Sequence, residues 1–174
     1  MELPEIPRYY WDACLWIELI TQSHPDRVKR LRYVLDLAEG RKAEIWTSAF
    51  TLAEVWKRKC DGEQVGISED QDRTFEDFIE KEMIVKVQVD TDVGTLARRL
   101  LRKFPGLGKP QDAIHVASCL LSNVDELHTF DGSDLLRFNG QFPRVDKKKL
   151  TICEPPLPPE DPQSEFELGR GKTT

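Results

Sequence analysis

Two spacings of apolar residues divide the chain. Short runs rich in aromatic and β-branched side chains read as buried strands: "RYYW" at 8–11, "AEIWTSAF" at 43–50, "MIVKVQV" at 83–89, "ELHTF" at 126–130 and "LTICEP" at 150–155. Between them the apolar positions recur every three or four residues, the period of a helix with one buried face. After Cys14 the first run turns into a short helix carrying Leu15, Ile17 and Leu19. Residues 24–40 place Val28, Leu31, Val34 or Leu35 and Ala38 on one stripe, with Pro25 near the start and Gly40 at the end. Helices are also expected over 51–60, 68–81, 90–104 and 110–121, and "FPGLGKP" at 104–110 is a loop. Strand and helix therefore alternate, which predicts βαβ units and an α/β fold: a central parallel β-sheet flanked by α-helices, an α/β/α sandwich.

The alternation stops at 153. The chain is expected to form one folded domain, 1–153, followed by a proline-rich tail, 154–174, that is flexible or binds a partner. A length of 174 residues suits one domain with a full core better than two. The net charge of -6 excludes a global attraction to phosphate backbones, so any nucleic-acid contact must come from local basic groups. Cys14, Cys60, Cys119 and Cys153 are scattered, with no C-x-x-C pair, which points to reduced thiols and a cytoplasmic location. No apolar run approaches the roughly 20 residues of a membrane helix.

The chemistry lies in acids at element ends. Asp112 stands in the first turn of a helix whose Ala113, Ile114, Val116, Ala117, Leu120 and Leu121 are apolar over a wide arc, leaving a strip of Asp112, His115 and Cys119. Alone it admits a plain electrostatic reading, an acid at a helix start worth ~0.3–1 kcal/mol. Asp12 at the end of the first strand, Glu54 soon after the second and Asp131 just after "LHTF" repeat the pattern. In an open α/β sheet such positions converge on one edge. Four converging carboxylates need protons or cations, and an all-oxygen set suits Mg²⁺ or Mn²⁺ rather than zinc. Two such ions ~3.5–4 Å apart would activate water and stabilise the leaving oxygen of a phosphodiester.

In order and separation, "YYWDAC", "SAFTLAEVW", "PQDAIHVAS" and "HTFDGSDL" resemble the four acidic motifs of the PIN-domain ribonucleases, especially VapC-type toxins of toxin–antitoxin pairs, over roughly residues 8–153. The resemblance implies a metal-dependent endoribonuclease with Asp12, Glu54, Asp112 and Asp131 as its catalytic and metal-holding residues, Thr129 as the orienting hydroxyl and Asp134 as an additional acid. It also implies an RNA substrate, a homodimer and an antitoxin partner. The family often has Ser or Thr directly after the first acid. Here Ala13 and Cys14 follow, and Ser48 is a candidate for the missing hydroxyl, its plainer role being a cap. Two other readings stay open: a non-catalytic interaction module of the same fold, and a nuclease of maintenance or defence that is not a toxin.

The remaining residues have weaker claims. His115 reads as structural or supporting rather than as a general base, because metal-made hydroxide needs no histidine. Lys57, Arg58 and Lys59 follow Glu54 closely and are the best candidates to bind RNA phosphates. Trp11, Trp16, Trp46 and Trp56 read as core, and Cys119 as a small buried residue.

Overall fold

The structure is a computed structural model that describes residues 6–60 and 62–159, with the side chains of Lys59 and Cys60 outside the description. β1 (Arg8–Trp11) is the middle strand of a five-stranded sheet, formed with β2 (Glu44–Ser48), β5 (Ile84–Val87), β6 (Glu126–His128) and β7 (Thr151–Cys153). The order is β5-β2-β1-β6-β7, and every pairing is parallel. A parallel sheet is covered on both faces, so its strands are apolar without strict alternation. β1 shows why: Tyr10 and Trp11 point to opposite faces, and both are fully buried. Tyr10 joins the cluster built on α5 (Thr91–Lys103) and α6 (Pro110–Leu121), with Val93, Ala97, Leu100, Val116 and Leu120. Trp11 joins the cluster of α1 (Ala13–Thr21), α2 (Pro25–Glu39) and α4 (Glu69–Ile79), with Leu15, Leu31, Val34 and Phe75.

The expected stripe of α2 is the buried one: Val28, Leu31, Val34, Leu35 and Ala38. α4 starts with a reciprocal cap, in which the Ser68 hydroxyl accepts from the Gln71 amide and the Gln71 side chain accepts from the Ser68 amide. Trp16 shows how the elements are tied. It is fully buried, its indole N–H donates to Thr47 Oγ1 at 3.3 Å, and its ring lies 4.9 Å from Trp11 and 5.8 Å from Phe75. Trp16→Ala is expected to cost ~3–5 kcal/mol. Urea unfolding would show this as a lower midpoint at unchanged slope, and a loss below ~1 kcal/mol contradicts the packing role.

Two expectations need correction. No helix spans 51–60: α3 (Ala49–Glu54) has six residues, and Val55 ends it in a non-helical conformation with its side chain buried. An antiparallel hairpin follows, β3 (Lys57–Cys60) with β4 (Glu63–Gly66). Its two-residue connection reads Asp-Gly, and Gly62 has φ +85, a left-handed conformation that glycine adopts freely. Trp56 is the second correction. It reads as core in the sequence, but the helix expected over 51–60 ends at Glu54, and its side chain is 58% exposed, with Leu52 and Val65 also exposed. Trp11 and Trp16 are core and Trp46 is half-buried.

The start of the proline-rich segment lies against α2. Arg30 donates to the Pro155 carbonyl at 2.7 Å and pairs with Glu154 at 3.7 Å. Residues 160–174, the greater part of the expected tail, lie outside the described residues. No described helix is long and apolar enough to cross a membrane.

Candidate active site

β1 and β6 are neighbours whose outgoing connections lead to opposite sides of the sheet, toward β2 and toward β7. Beyond the carboxyl ends of such a pair an open α/β sheet leaves a crevice. Asp12 follows β1 directly, and Asp131 lies three residues past β6. Glu54 closes α3 after β2, and Asp112 sits in the first turn of α6. All four line one pocket of about 290 Å³, together with Cys14, Lys57, Arg58, Gln64 and His115.

Asp12 is buried and caps α1, where its Oδ1 accepts from the Cys14 and Leu15 amides at 3.1 and 3.4 Å. The Cys14 thiol, two residues after Asp12, donates to the same oxygen at 2.8 Å. Burial pushes the Asp12 carboxyl up, against the stabilising charge of His115 and these hydrogen bonds. Thr129 is fully buried between two of the acids: its Oγ1 lies 3.5 Å from Cys14 Sγ and accepts from the Asp131 amide at 3.0 Å. Asp131 Oδ1 accepts from the Ser133 and Asp134 amides and the Ser133 hydroxyl, which fixes the carboxylate as the loop turns.

Glu54 is held by a buried relay. Its Oε2 lies 2.9 Å from His115 Nε2, and His115 Nδ1 lies 2.8 Å from the Tyr10 hydroxyl. Burial alone pushes His115 down, but the Glu54 hydrogen bond and charge, with Asp12 and Asp112 nearby, carry it above its ordinary value. The imidazole and the surrounding acids thus stabilise each other's charged forms. The strip of Asp112, His115 and Cys119 faces inward, with His115 and Cys119 buried, and Leu121 is the exposed residue of that helix end. The Glu54–His115 pairing spans 61 positions and carries no sequence signal.

Asp112 is pushed up to about 6, first by burial and further by Asp134 and Asp131, while Lys109 and His115 pull it down. Its Oδ2 is buried without a hydrogen-bond partner among the described residues. Lys109, which the sequence reading passed over, pairs with Asp134. That pairing holds Asp134 below its ordinary value and turns it toward the lysine, outside the set lining the pocket. Ser48 is also outside that set: it is buried and caps α3, accepting from the Thr51 amide at 3.3 Å. Lys57 and Arg58 line the pocket on the hairpin side, and the Lys59 side chain lies outside the described residues.

The donors suit a hard divalent cation. They are carboxylate oxygens, one buried and unpartnered, in a half-open pocket with room for water. They do not close on one point. Among the described residues, three metal-type ligands with donor atoms all within 4.8 Å of one another occur elsewhere, at Glu126, His128 and Cys153.

A parallel α/β/α sandwich with four acids at its switch point defines the class. The family model of the PIN domain matches residues 9–147, and the chain belongs to the PIN domain family. Curated protein sequences give no match. Among solved structures, VapC20 from Mycobacterium tuberculosis, described as a toxin cleaving the sarcin–ricin loop, aligns at TM-score 0.54 and 16% identity, covering 71% of this chain and 90% of that one. VapBC2 from Rickettsia felis, bound to a DNA fragment from its promoter, aligns at 0.53 and 16%, covering 83% and 98%. A toxin–antitoxin complex from Klebsiella pneumoniae aligns at 0.54 and 17%, covering 86% and 99%. At such identities the likeness is one of fold.

Proposed function

We propose that the protein is a metal-dependent endoribonuclease, the toxin of a toxin–antitoxin pair. The observation that carries this reading is the convergence of Asp12, Glu54, Asp112 and Asp131, from four separate elements, on one pocket edged by Lys57 and Arg58. The described activity of VapC20 and the complexes formed by the Rickettsia and Klebsiella proteins support an RNA substrate and an antitoxin partner. A homodimer and a cytoplasmic location belong to the same reading.

Asp12, Glu54, Asp112 and Asp131 would hold Mg²⁺ or Mn²⁺, which when bound supplies an activated water and charge stabilisation at the scissile phosphate. The protein's own part is placement. Thr129 and Cys14 set Asp12 and the turn to Asp131, and His115 orients Glu54. Lys57 and Arg58 counter the phosphate charge beside an otherwise acidic pocket.

The test is incubation of the full chain with a panel of RNAs and Mn²⁺ or Mg²⁺, beside Asp12→Asn. Metal-dependent cleavage lost in the variant supports the reading; no cleavage of any RNA, or equal cleavage by the variant, overturns it. A neighbouring small protein that binds the chain and silences cleavage would establish the toxin role. Separately, Lys57→Ala is expected to weaken RNA binding to about the same extent for every sequence and to reduce the salt dependence of affinity by about one counterion. Fluorescence anisotropy at several salt concentrations measures this, and an unchanged salt slope excludes Lys57 from phosphate contact.

A further inference from the structure

The β6–β7 edge carries a donor set opposite in character to the acidic pocket. Parallel pairing sets His128 beside Cys153, and Glu126 lies two residues before His128, so the three side chains stand on one face of the sheet. Glu126 Oε2 lies 2.9 Å from His128 Nε2 and 3.6 Å from Cys153 Sγ, and the three donor atoms lie within 4.8 Å of one another. His128 is fully buried and stacked on Tyr9, with ring centroids 4.6 Å apart, so its ring is already fixed in place. Its Nδ1 has no hydrogen-bond partner among the described residues. One carboxylate oxygen, Glu126 Oε2, meets both the imidazole Nε2 and the Cys153 thiol, so oxygen, nitrogen and sulfur donors converge on one point.

The spacing suits a tetrahedral ion. Zinc bonds of ~2.0–2.2 Å to N and O and ~2.3 Å to S give tetrahedral edges of about 3.3 Å for N···O and about 3.6 Å for S···O. The S···O edge is already present, the N···O edge needs to open by only about 0.4 Å, and the nitrogen and sulfur lie within 4.8 Å of each other.

We propose that Glu126, His128 and Cys153 form a binding site for a borderline-soft divalent cation, Zn²⁺ foremost, with solvent as the fourth ligand reaching it past the partly exposed Glu126. Mixed N, O and S donors select Zn²⁺, whereas the all-carboxylate pocket favours Mg²⁺ or Mn²⁺, so the two sites sort metals by softness. On binding, the Cys153 thiol gives its proton to solvent and the ion takes the thiolate. The bound ion ties edge strand β7 to β6 next to the bond from the Thr129 amide to the Cys153 carbonyl, 3.0 Å. It would thereby brace the chain leading to Asp131. This inference does not depend on nuclease activity.

The test uses the full chain, stripped with a chelator and titrated with Co²⁺ alone and then with Zn²⁺ alone. One equivalent of Co²⁺ is expected to give thiolate-to-cobalt charge-transfer absorption that Zn²⁺ displaces, and Zn²⁺ is expected to raise the melting temperature. Cys153→Ala should lose the absorption, and Glu126→Gln, at a partly exposed position, should weaken Zn²⁺ binding by more than about 10-fold. Asp112→Asn should keep the charge-transfer absorption. Absence of the absorption in wild type, its persistence in Cys153→Ala, or equal Zn²⁺ affinity in Glu126→Gln overturns the proposal. Should Cys153→Ala fail to fold, Glu126→Gln decides alone.

Discussion

Asp112→Asn is expected to reduce metal-dependent RNA cleavage by at least about 10²–10³-fold while making the metal-free protein more stable. The two effects share one cause. Burial, with Asp134 and Asp131 nearby, raises the Asp112 carboxyl from 3.8 to about 6, and its Oδ2 has no protein partner among the described residues. Raising the folded value above the unfolded one means that folding favours the protonated form. The resulting penalty is absent below the ordinary value of 3.8, grows as pH rises and is complete above about 6. Discounted for the partial solvent exposure of Asp112, a shift of about two units corresponds to roughly 1–2 kcal/mol, or a few degrees in melting temperature for a chain of this size. Asparagine removes the charge and with it the penalty. Melting curves in chelator should therefore show the variant gaining on wild type between about pH 4 and pH 6. In wild type, Mn²⁺ binding should weaken below about pH 6, where Asp112 takes up a proton. A variant that cleaves normally, or melts below wild type in chelator at pH 7, contradicts this account.

His115→Ala is the second large effect, with an expected loss of ~3–5 kcal/mol in the metal-free protein. The imidazole is buried, hydrogen-bonded at both nitrogens to Glu54 and Tyr10, and Asp12 and Asp112 nearby favour its charged form. Its removal leaves a cavity, an unpaired Tyr10 hydroxyl and a Glu54 carboxylate without its partner beside Asp12 and Asp112. A divalent ion at the acids would take over part of the stabilisation that His115 gives them, so Mn²⁺ should raise the melting temperature of the variant more than that of wild type. An equal rise in both proteins would show that His115 does not balance the acids. Cleavage should also fall, because Glu54 loses its orienting bond, and His115→Gln should recover part of it.

The strand and helix order was legible because each element carries its own period: the α2 stripe and the apolar β1 both lie where local spacing predicts. The hairpin was harder to read, since Lys57–Lys59 fit the outer face of a helix as well as a strand. The Asp-Gly turn was the signal against the longer helix. Trp56 followed the same error, because it reads as core within the expected 51–60 helix and is exposed once that helix ends at Glu54.

The sequence by itself determined the four acids and their positions at element ends, because strand ends and helix starts are local features that recur in a readable pattern. Only the tertiary structure decided how those acids are held. Cys14 bonds Asp12, His115 bonds Glu54 and Lys109 draws Asp134 away from the pocket. The last two contacts join residues 61 and 25 positions apart, and all three depend on which face each side chain presents after the sheet is assembled. The meeting of His128 with Cys153 has the same origin: parallel pairing of β6 and β7 makes neighbours of residues that no local spacing connects.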